Sequence, residues 1–202
     1  MKKSPHKEKS DRGRLQIILA GVGGQGILFS SRIFSEWGLK SGSDIIGSET
    51  HGMSQRGGSV IAHLKIGRFH SPMIREGNAD ILYSFEENET YKTLKFLKDG
   101  GICFANLEQT GRFDGKVLSY LKKKETTFLA FNATGAAIKI GSVMSTNIVL
   151  IGFSVGTGLV PFTYEEMKSV LESLSKGKHL ALNLKAFDRG VQEGEKIKKI
   201  KS

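Results

Sequence analysis

The chain of 202 residues has very little cysteine, because Cys103 is the only one. A single cysteine excludes an intrachain disulfide, a CxxC redox pair and an iron–sulfur cluster held entirely by this chain's own cysteines. Cys103 lies inside the apolar run 102–105. We therefore predict that it is a buried small hydrophobic residue rather than a reactive thiol.

The chain also lacks a long uninterrupted hydrophobic run. Its most apolar stretch, residues 147–162, is broken by Ser, Thr, Gly and Pro, whereas a membrane span needs about 18 or more apolar residues. The amino terminus is rich in lysine and contains no apolar segment of the signal-peptide type. We expect a cytoplasmic protein that binds no membrane.

Acidic residues are fewer than basic ones, and the formal net charge is +10. The excess sits mainly at the two ends: residues 1–14 contain six Lys or Arg and two Asp or Glu, and residues 189–202 contain five and two. A nucleic-acid binder is expected to carry its basic face on the folded body, so nucleic acid is not the expected partner. We predict a disordered basic arm over 1–14 and a charged tail over 193–202.

Apolar segments with strand and helix patterns alternate along the rest of the chain. This order predicts one α/β domain over 15–192, a three-layer Rossmann-like sandwich on a mostly parallel or mixed sheet. Residues 59–66 alternate in polarity, which predicts a strand with one exposed face, placed in an antiparallel hairpin. Loop is expected over 48–58 and 107–116. The predicted strands are 15–20, 44–47, 59–66, 79–85, 102–106 and 128–131, and the predicted helices are 27–40, 86–98, 133–140, 147–159, 163–174 and 178–199.

A glycine-rich turn follows the first predicted strand. Gly21, Gly23 and Gly26 satisfy the pattern G-x-G-x-x-G, with Gly24 and Gln25 between them. In a strand–turn–helix context such glycines allow a phosphate to rest on the helix amino terminus. They equally allow the helix to pack closely on the sheet and a neighbouring chain to approach. Both interpretations stay open, and we name this segment, residues 21–26, the glycine turn.

A second polar, glycine-rich stretch covers residues 48–58. Arg56 has a planar fork that suits a phosphate or a carboxylate, although it could also brace an interface with Glu49. Glu49 only loosely meets the acidic position expected about 20 residues after a dinucleotide-binding turn. His51 has no second His or Cys at ligand spacing, so we predict no metal site, and no catalytic triad or G-x-S-x-G elbow is present. The candidate binding residues of this stretch are Glu49, His51, Gln55, Arg56, Gly57 and Gly58.

Taken together, stretches 21–28 and 48–60 resemble the gamma-type subunit of the 2-oxoacid:ferredoxin oxidoreductases. The variant to which they are most similar is the small (beta) subunit of indolepyruvate ferredoxin oxidoreductase. The resemblance covers about residues 15–192 and implies a subunit of a cytoplasmic heteromeric complex. Such a complex oxidatively decarboxylates a 2-oxoacid, transfers the acyl group to CoA and reduces ferredoxin.

The same resemblance implies cofactors that this chain does not carry alone. The family's thiamine diphosphate and Mg²⁺ site resembles Gly-Asp-Gly followed by Asn, and no Gly-Asp-Gly occurs here. Its 4Fe-4S clusters need cysteines that this sequence lacks. The resemblance therefore implies a large partner subunit that carries both, with this chain inactive alone and its two glycine-rich segments facing the partner near the CoA or cofactor region. Two alternatives stay open: a free-standing nucleotide- or flavin-binding module, and a basic-tailed interaction protein.

Overall fold

A computed structural model describes residues 13–51, 58–108 and 115–201, without the side chains of His51, Ile200 and Lys201. The predicted basic arm lies outside this description except for Gly13 and Arg14. Two single turns of 3-10 helix, Leu94–Phe96 and Val143–Ser145, accompany the larger elements. The strands of the described residues are β1 (Leu15–Val22), β2 (Ile45–His51), β3 (Ser59–Ile66), β4 (Ala79–Ser84), β5 (Leu97–Asn106) and β6 (Thr127–Phe131). The helices are α1 (Ile27–Lys40), α2 (Glu87–Thr93), α3 (Gly115–Lys123), α4 (Ala133–Lys139), α5 (Thr146–Gly156), α6 (Tyr164–Leu174) and α7 (Gly177–Lys201).

The strands form one mixed sheet in the order β2-β3-β1-β4-β5-β6. Strands β1, β4, β5 and β6 are parallel to their neighbours in this series, whereas β3 is antiparallel to both β1 and β2. The predicted mixed sheet and antiparallel hairpin are therefore confirmed. The carboxyl ends of the parallel strands and of β2 share one border of the sheet, where β3 begins, and we call this border the carboxyl edge.

Helices cover both faces of the sheet and give the predicted three layers. One face packs against α1, α4, α5, α6 and α7 around a large aromatic and aliphatic core. The other face packs against α2, α3 and the segment near Ile74, and Cys103 is fully buried there, as predicted. Thr163 and Glu166 form a capping box at the start of α6. No helix in the described ranges is long and apolar enough to cross a membrane.

The prediction that β3 has one exposed face is wrong. Val60, Ala62, Leu64 and Ile66 are buried on the large core, as the alternation indicated. The other face is covered too: His63 is only 2% exposed, its Nδ1 accepts a hydrogen bond from the Ile74 backbone N–H (3.2 Å), and Phe96 packs edge-on against it. The polar residues of this face are covered because the chain after β3 and the 3-10 turn after α2 fold over them.

The predicted helix 86–98 is too long. It ends at Thr93, continues as one 3-10 turn and gives way to β5 at Leu97. Asp99 and Gly100 therefore lie in the exposed first half of a strand instead of terminating a helix. Tyr91 of α2 is 37% exposed. Helix α3 was not predicted, because Leu121 is its only buried residue and the rest of its surface is polar or exposed.

The buried helix α5 packs directly on α7 through glycines. A Cβ atom built on Gly152 would overlap the backbone carbonyl oxygen of Phe187, and one on Gly190 would overlap that of Val149. The two helix backbones therefore touch without side chains between them. This contact explains why the buried helix α5 tolerates glycines. The glycines face α7, while the larger residues of α5 fill the core.

Candidate functional site

The glycine turn lies at the carboxyl edge and is held by its own side-chain and backbone bonds. The Val22 N–H donates to Gln25 Oε1 (2.9 Å), so the Gln25 side chain folds back over the end of β1. A Cβ on Gly21 would lie only 2.6 Å from that Oε1 atom, so a larger residue here would displace the Gln25 side chain from this position. The Gly23 N–H donates to the Gly58 carbonyl (3.0 Å), and this bond joins the turn to the end of the second glycine-rich stretch.

Gly26 joins the glycine turn to helices α1 and α5. It precedes α1 with a φ of +75° and provides no side-chain cap. The Asn147 Nδ2 atom donates to the Gly26 carbonyl (3.1 Å) and to Ser30 Oγ (3.0 Å), and Asn147 is only 2% exposed. A Cβ on Gly26 would lie 2.6 Å from this Nδ2 atom. The third glycine of the pattern therefore makes room for a buried amide rather than for a phosphate.

The other glycines of the turn face solvent. Gly23 and Gly24 are exposed, and Gly24 has a φ of +96° with open space where a side chain would be. Beside them lies a small cavity of about 190 Å³. Ligand pockets usually measure about 300–1,000 Å³, so the cavity formed by the described residues is small for a dinucleotide. Its lining consists of Gly24, Gln25, Thr134, Val143, Met144 and Thr146.

The second stretch begins as strand in its described part, which corrects the predicted loop over 48–58. Strand β2 continues to His51, and His51 and Gly21 flank Val60 of β3 from opposite sides. Glu49 is exposed and level with Leu19, within the strands rather than at their end. Because β3 separates Glu49 from β1 by two strand spacings, about 10 Å, the structure does not bring this carboxylate to the glycine turn. Gln55, Arg56 and Gly57 lie outside the described residues.

A buried carboxylate at the same edge was not among the predicted site residues. Glu89, in the first turn of α2, is 2% exposed. It accepts hydrogen bonds from Ser59 Oγ (2.5 Å) and Lys92 Nζ (2.6 Å), and its carboxylate raises the pKa of Lys92. An acidic residue in the first turn of a helix indicates by itself only a favourable interaction with the helix dipole. Glu89 in addition ties the start of β3 to α2.

Asn106 closes the carboxyl edge between β4, β5 and α4. Its Nδ2 atom donates to the Phe85 carbonyl (3.0 Å) and to Thr134 Oγ1 (2.9 Å). Its Oδ1 atom accepts from the Thr134 N–H (3.1 Å). Like Asn147, it is an amide adjacent to a buried apolar segment, and this position is the sequence signal that could have identified both residues.

The residues that the structure describes do not fit an iron–sulfur cluster or a Mg²⁺–thiamine site. No group of three or more His, Cys, Asp or Glu in the described ranges is arranged to hold a metal ion. Burial raises the pKa of Cys103 far above its usual value, so this thiol does not ionise to a thiolate ligand near neutral pH. The arrangement is a rigid, polar-braced edge with exposed glycine backbone.

Comparison with known proteins identifies the family. The sequence profile described as pyruvate ferredoxin/flavodoxin oxidoreductase matches residues 16–193. The chain is 36% identical over 205 residues to the indolepyruvate oxidoreductase subunit IorB of Pyrococcus horikoshii, covering 90% of this chain and 96% of that one. It is 34% identical over 191 residues to the subunit of the same name from Archaeoglobus fulgidus, covering 89% and 95%.

A solved structure agrees with this assignment. The fold is similar to that of the keto/oxoacid ferredoxin oxidoreductase gamma subunit from Geobacter sulfurreducens, with a TM-score of 0.67 and 25% identity. That match covers 90% of this chain and 99% of the other. The profile spans most of the chain, and the two relatives exceed 30% identity along nearly their whole length. The chain therefore belongs to the pyruvate ferredoxin/flavodoxin oxidoreductase family, as a gamma-type subunit of the 2-oxoacid:ferredoxin oxidoreductases.

Proposed function

We propose that this chain is the small, non-redox subunit of an indolepyruvate-type 2-oxoacid:ferredoxin oxidoreductase in the cytoplasm. The observation that carries the proposal is the 34–36% identity, over nearly full length, to two proteins named as indolepyruvate oxidoreductase subunits. The complex would convert an arylpyruvate and CoA into acyl-CoA and carbon dioxide. The two electrons released would pass to ferredoxin.

The redox chemistry belongs to a large partner subunit in this proposal. That subunit would supply thiamine diphosphate with Mg²⁺, which stabilises the carbanion left by decarboxylation, and the 4Fe-4S clusters that carry the electrons. This chain has one cysteine, and that cysteine is buried. Its part is to complete the assembly, and we expect no catalytic activity from it alone.

The carboxyl edge is the surface that we expect to face the partner, near the CoA or cofactor region. The glycine turn is exposed there at Gly23 and Gly24, and Gly58 is bonded to it. Met144 and Val143 stand beside the turn with 73% and 53% of their surface exposed. Exposed apolar side chains next to accessible backbone are typical of protein–protein contacts. Glu49, His51, Gln55, Arg56 and Gly57 belong to the same proposed surface.

The proposed function is tested by purifying the tagged chain anaerobically from its own cells. We expect a brown, high-mass species that contains a second, cysteine-rich chain. That species should reduce ferredoxin when an arylpyruvate and CoA are both supplied, and omission of either should abolish reduction. Isolation of a colourless monomer or homodimer without a second chain would contradict the proposal.

The proposed surface is tested in the reconstituted complex with the double variant Gln55→Ala, Arg56→Ala. We expect weaker assembly or a raised CoA requirement. The matched control is Arg32→Gln, which removes one positive charge from the exposed face of α1. If the double variant left assembly and the CoA dependence unchanged, we would abandon this surface while retaining the subunit assignment.

A nucleotide- or flavin-binding module is the second candidate function. The strand–turn–helix context of the glycine turn, confirmed in β1 and α1, favours it. The small cavity and the position of Glu49 oppose it. Titration of the isolated chain with NAD, ATP and FMN distinguishes the two candidates, because only the module should retain a nucleotide without a partner chain.

A further inference from the structure

Positive charge collects at the sheet border opposite the carboxyl edge. Arg14 precedes β1, and Lys65 is the penultimate residue of the antiparallel β3, so both lie at this border. The Arg14 guanidinium carbon lies 4.2 Å from the centre of the Phe69 ring, and Lys65 Nζ lies 5.1 Å from the same centre. Two cations therefore share one aromatic ring. With Arg75 they form what we call the cation cluster: Arg14, Lys65 and Arg75.

Lys65 is an unusual lysine, because only 7% of its surface is exposed. Burial lowers its pKa, and the charges of Arg14 and Arg75 lower it further. The last two causes mean that each arginine lies close enough to Lys65 to repel its charge. Lysine is rarely this buried unless it is paired with an opposite charge.

Two nearby carboxylates of the described residues, those of Glu76 and Asp80, are engaged with other groups. Glu76 pairs with Lys95 (2.6 Å). Asp80 accepts from the Gln16 N–H (2.7 Å) and pairs with Lys98. Within the described ranges, no carboxylate forms an ion pair with a member of the cation cluster. These residues therefore concentrate three positive charges without neutralising them.

We propose that the cation cluster binds a dianionic oxyanion, namely a phosphate group. The two guanidinium groups provide planar forks that match phosphate oxygens, and the lysine adds a compact third charge. A phosphate group carries a charge of about −1.5 to −2 near neutral pH and would relieve most of the repulsion. The eight-residue strand β1 separates this site from the glycine turn by roughly 20 Å, so it is distinct from the carboxyl edge and independent of the proposed function.

The test compares thermal unfolding of the full chain in phosphate and in chloride at equal ionic strength. A ligand that binds only the folded state raises the melting temperature. The rise is roughly 5–10 °C when phosphate stands at about 100 times its Kd for a chain of this size. We expect the rise in the wild type and its loss in Lys65→Met, which keeps the buried apolar stem. Acetate, a singly charged carboxylate, should produce a smaller rise than phosphate.

Lys124→Met is the matched control. Lys124 also lies over an aromatic ring, Tyr120 at 5.7 Å, but it is paired with Asp99 (3.0 Å) and lies outside the cation cluster. We expect the full phosphate effect in this variant. In chloride alone, Lys65→Met should be at least as stable as the wild type, because it removes a charge crowded by two others.

Arg75→Gln provides a second variant at an exposed position and should weaken the phosphate effect without a packing change. An equal rise in Lys65→Met and wild type, or no rise beyond that seen in chloride with either inorganic phosphate or ATP, would overturn the proposal. ATP identifies the source of the group. A response to inorganic phosphate indicates the free ion, and a response to ATP alone indicates a phosphate carried on a larger molecule.

Discussion

Replacing Asn147 by alanine should destabilise the protein by about 2–3 kcal/mol, because this amide joins α5 to the glycine turn. The substitution removes two hydrogen bonds, to the Gly26 carbonyl and to Ser30 Oγ, each with a net value of about 1 kcal/mol, and leaves a small cavity. Both partners keep another bond, since Ser30 also donates to the Gly26 carbonyl through its N–H and its Oγ. No buried group is left unsatisfied, and the loss should stay within this range.

The assay is denaturant unfolding of the full chain, with thermal unfolding as a second readout. For about 200 residues, 1 kcal/mol corresponds to roughly 2–4 °C, so the melting temperature should fall by about 4–12 °C. Asn183→Ala is the control: its Nδ2 donates one hydrogen bond, to Ser175 Oγ (2.8 Å), in a half-buried position, and its loss should be near 1 kcal/mol. In a double-mutant cycle, Asn147→Ala and Ser30→Ala should show a coupling of about 1 kcal/mol.

Asn147→Asp sharpens the test, because it keeps the side-chain volume. It replaces the donating amide by a buried carboxylate that faces the Gly26 carbonyl, and it should be more damaging than alanine. If Asn147→Ala were no more destabilising than Asn183→Ala, or if its coupling to Ser30 were absent, the inference that this amide fixes the turn would be refuted.

Three further predictions follow from particular contacts. Gly190→Ala should lower the free energy of unfolding by about 3 kcal/mol or more, because its Cβ would overlap the α5 backbone. Gly115→Ala is the control and should be neutral, because nothing lies within 4 Å of the added Cβ. Urea unfolding measures both variants. Thr163→Ala should lower the free energy of unfolding by about 1 kcal/mol, because it removes the N-cap of α6. Burial, and then the charge of Lys65, lower the pKa of His63 below its usual value of 6.5. The folded state therefore binds fewer protons, and stability should fall as the pH drops below about 6.5, a dependence that His63→Gln should flatten.

The parts of the fold that depend on local pattern were predictable from sequence. The strand–turn–helix unit around the glycine turn, the capping box at Thr163 and the burial of Cys103 each follow from a few neighbouring residues. The pairing of strands depends on the whole chain and was harder to predict from sequence. Leu97 begins a strand because β4 provides a partner for it, although the residues after it have the composition of a turn. In the same way, nothing local indicates that Ile74 and Phe96 cover His63.

The candidate site shows the same division. The sequence predicted the position of the glycine turn. It did not predict which side chains pack against two of its glycines. Gly21 makes room for Gln25, which is local, whereas Gly26 makes room for Asn147, which is 121 residues away. Glu89 and Asn106 were missed because a single Glu in a helix start or a single Asn after a strand has many structural explanations, and only their buried partners distinguish them.

The insertion of β3 between β2 and β1 connects these observations. In a dinucleotide-binding fold the acidic residue ends the strand beside β1, where it can reach a ribose next to the turn. Here an antiparallel strand occupies that position, the Gly58 carbonyl before its start accepts from the Gly23 N–H, and the exposed Glu49 lies one strand further out, two strand spacings from β1. The glycine pattern thus keeps its steric role, close packing and accessible backbone, while the partner group needed for nucleotide recognition is moved away. That combination favours a protein surface over a nucleotide as the proposed occupant of the carboxyl edge.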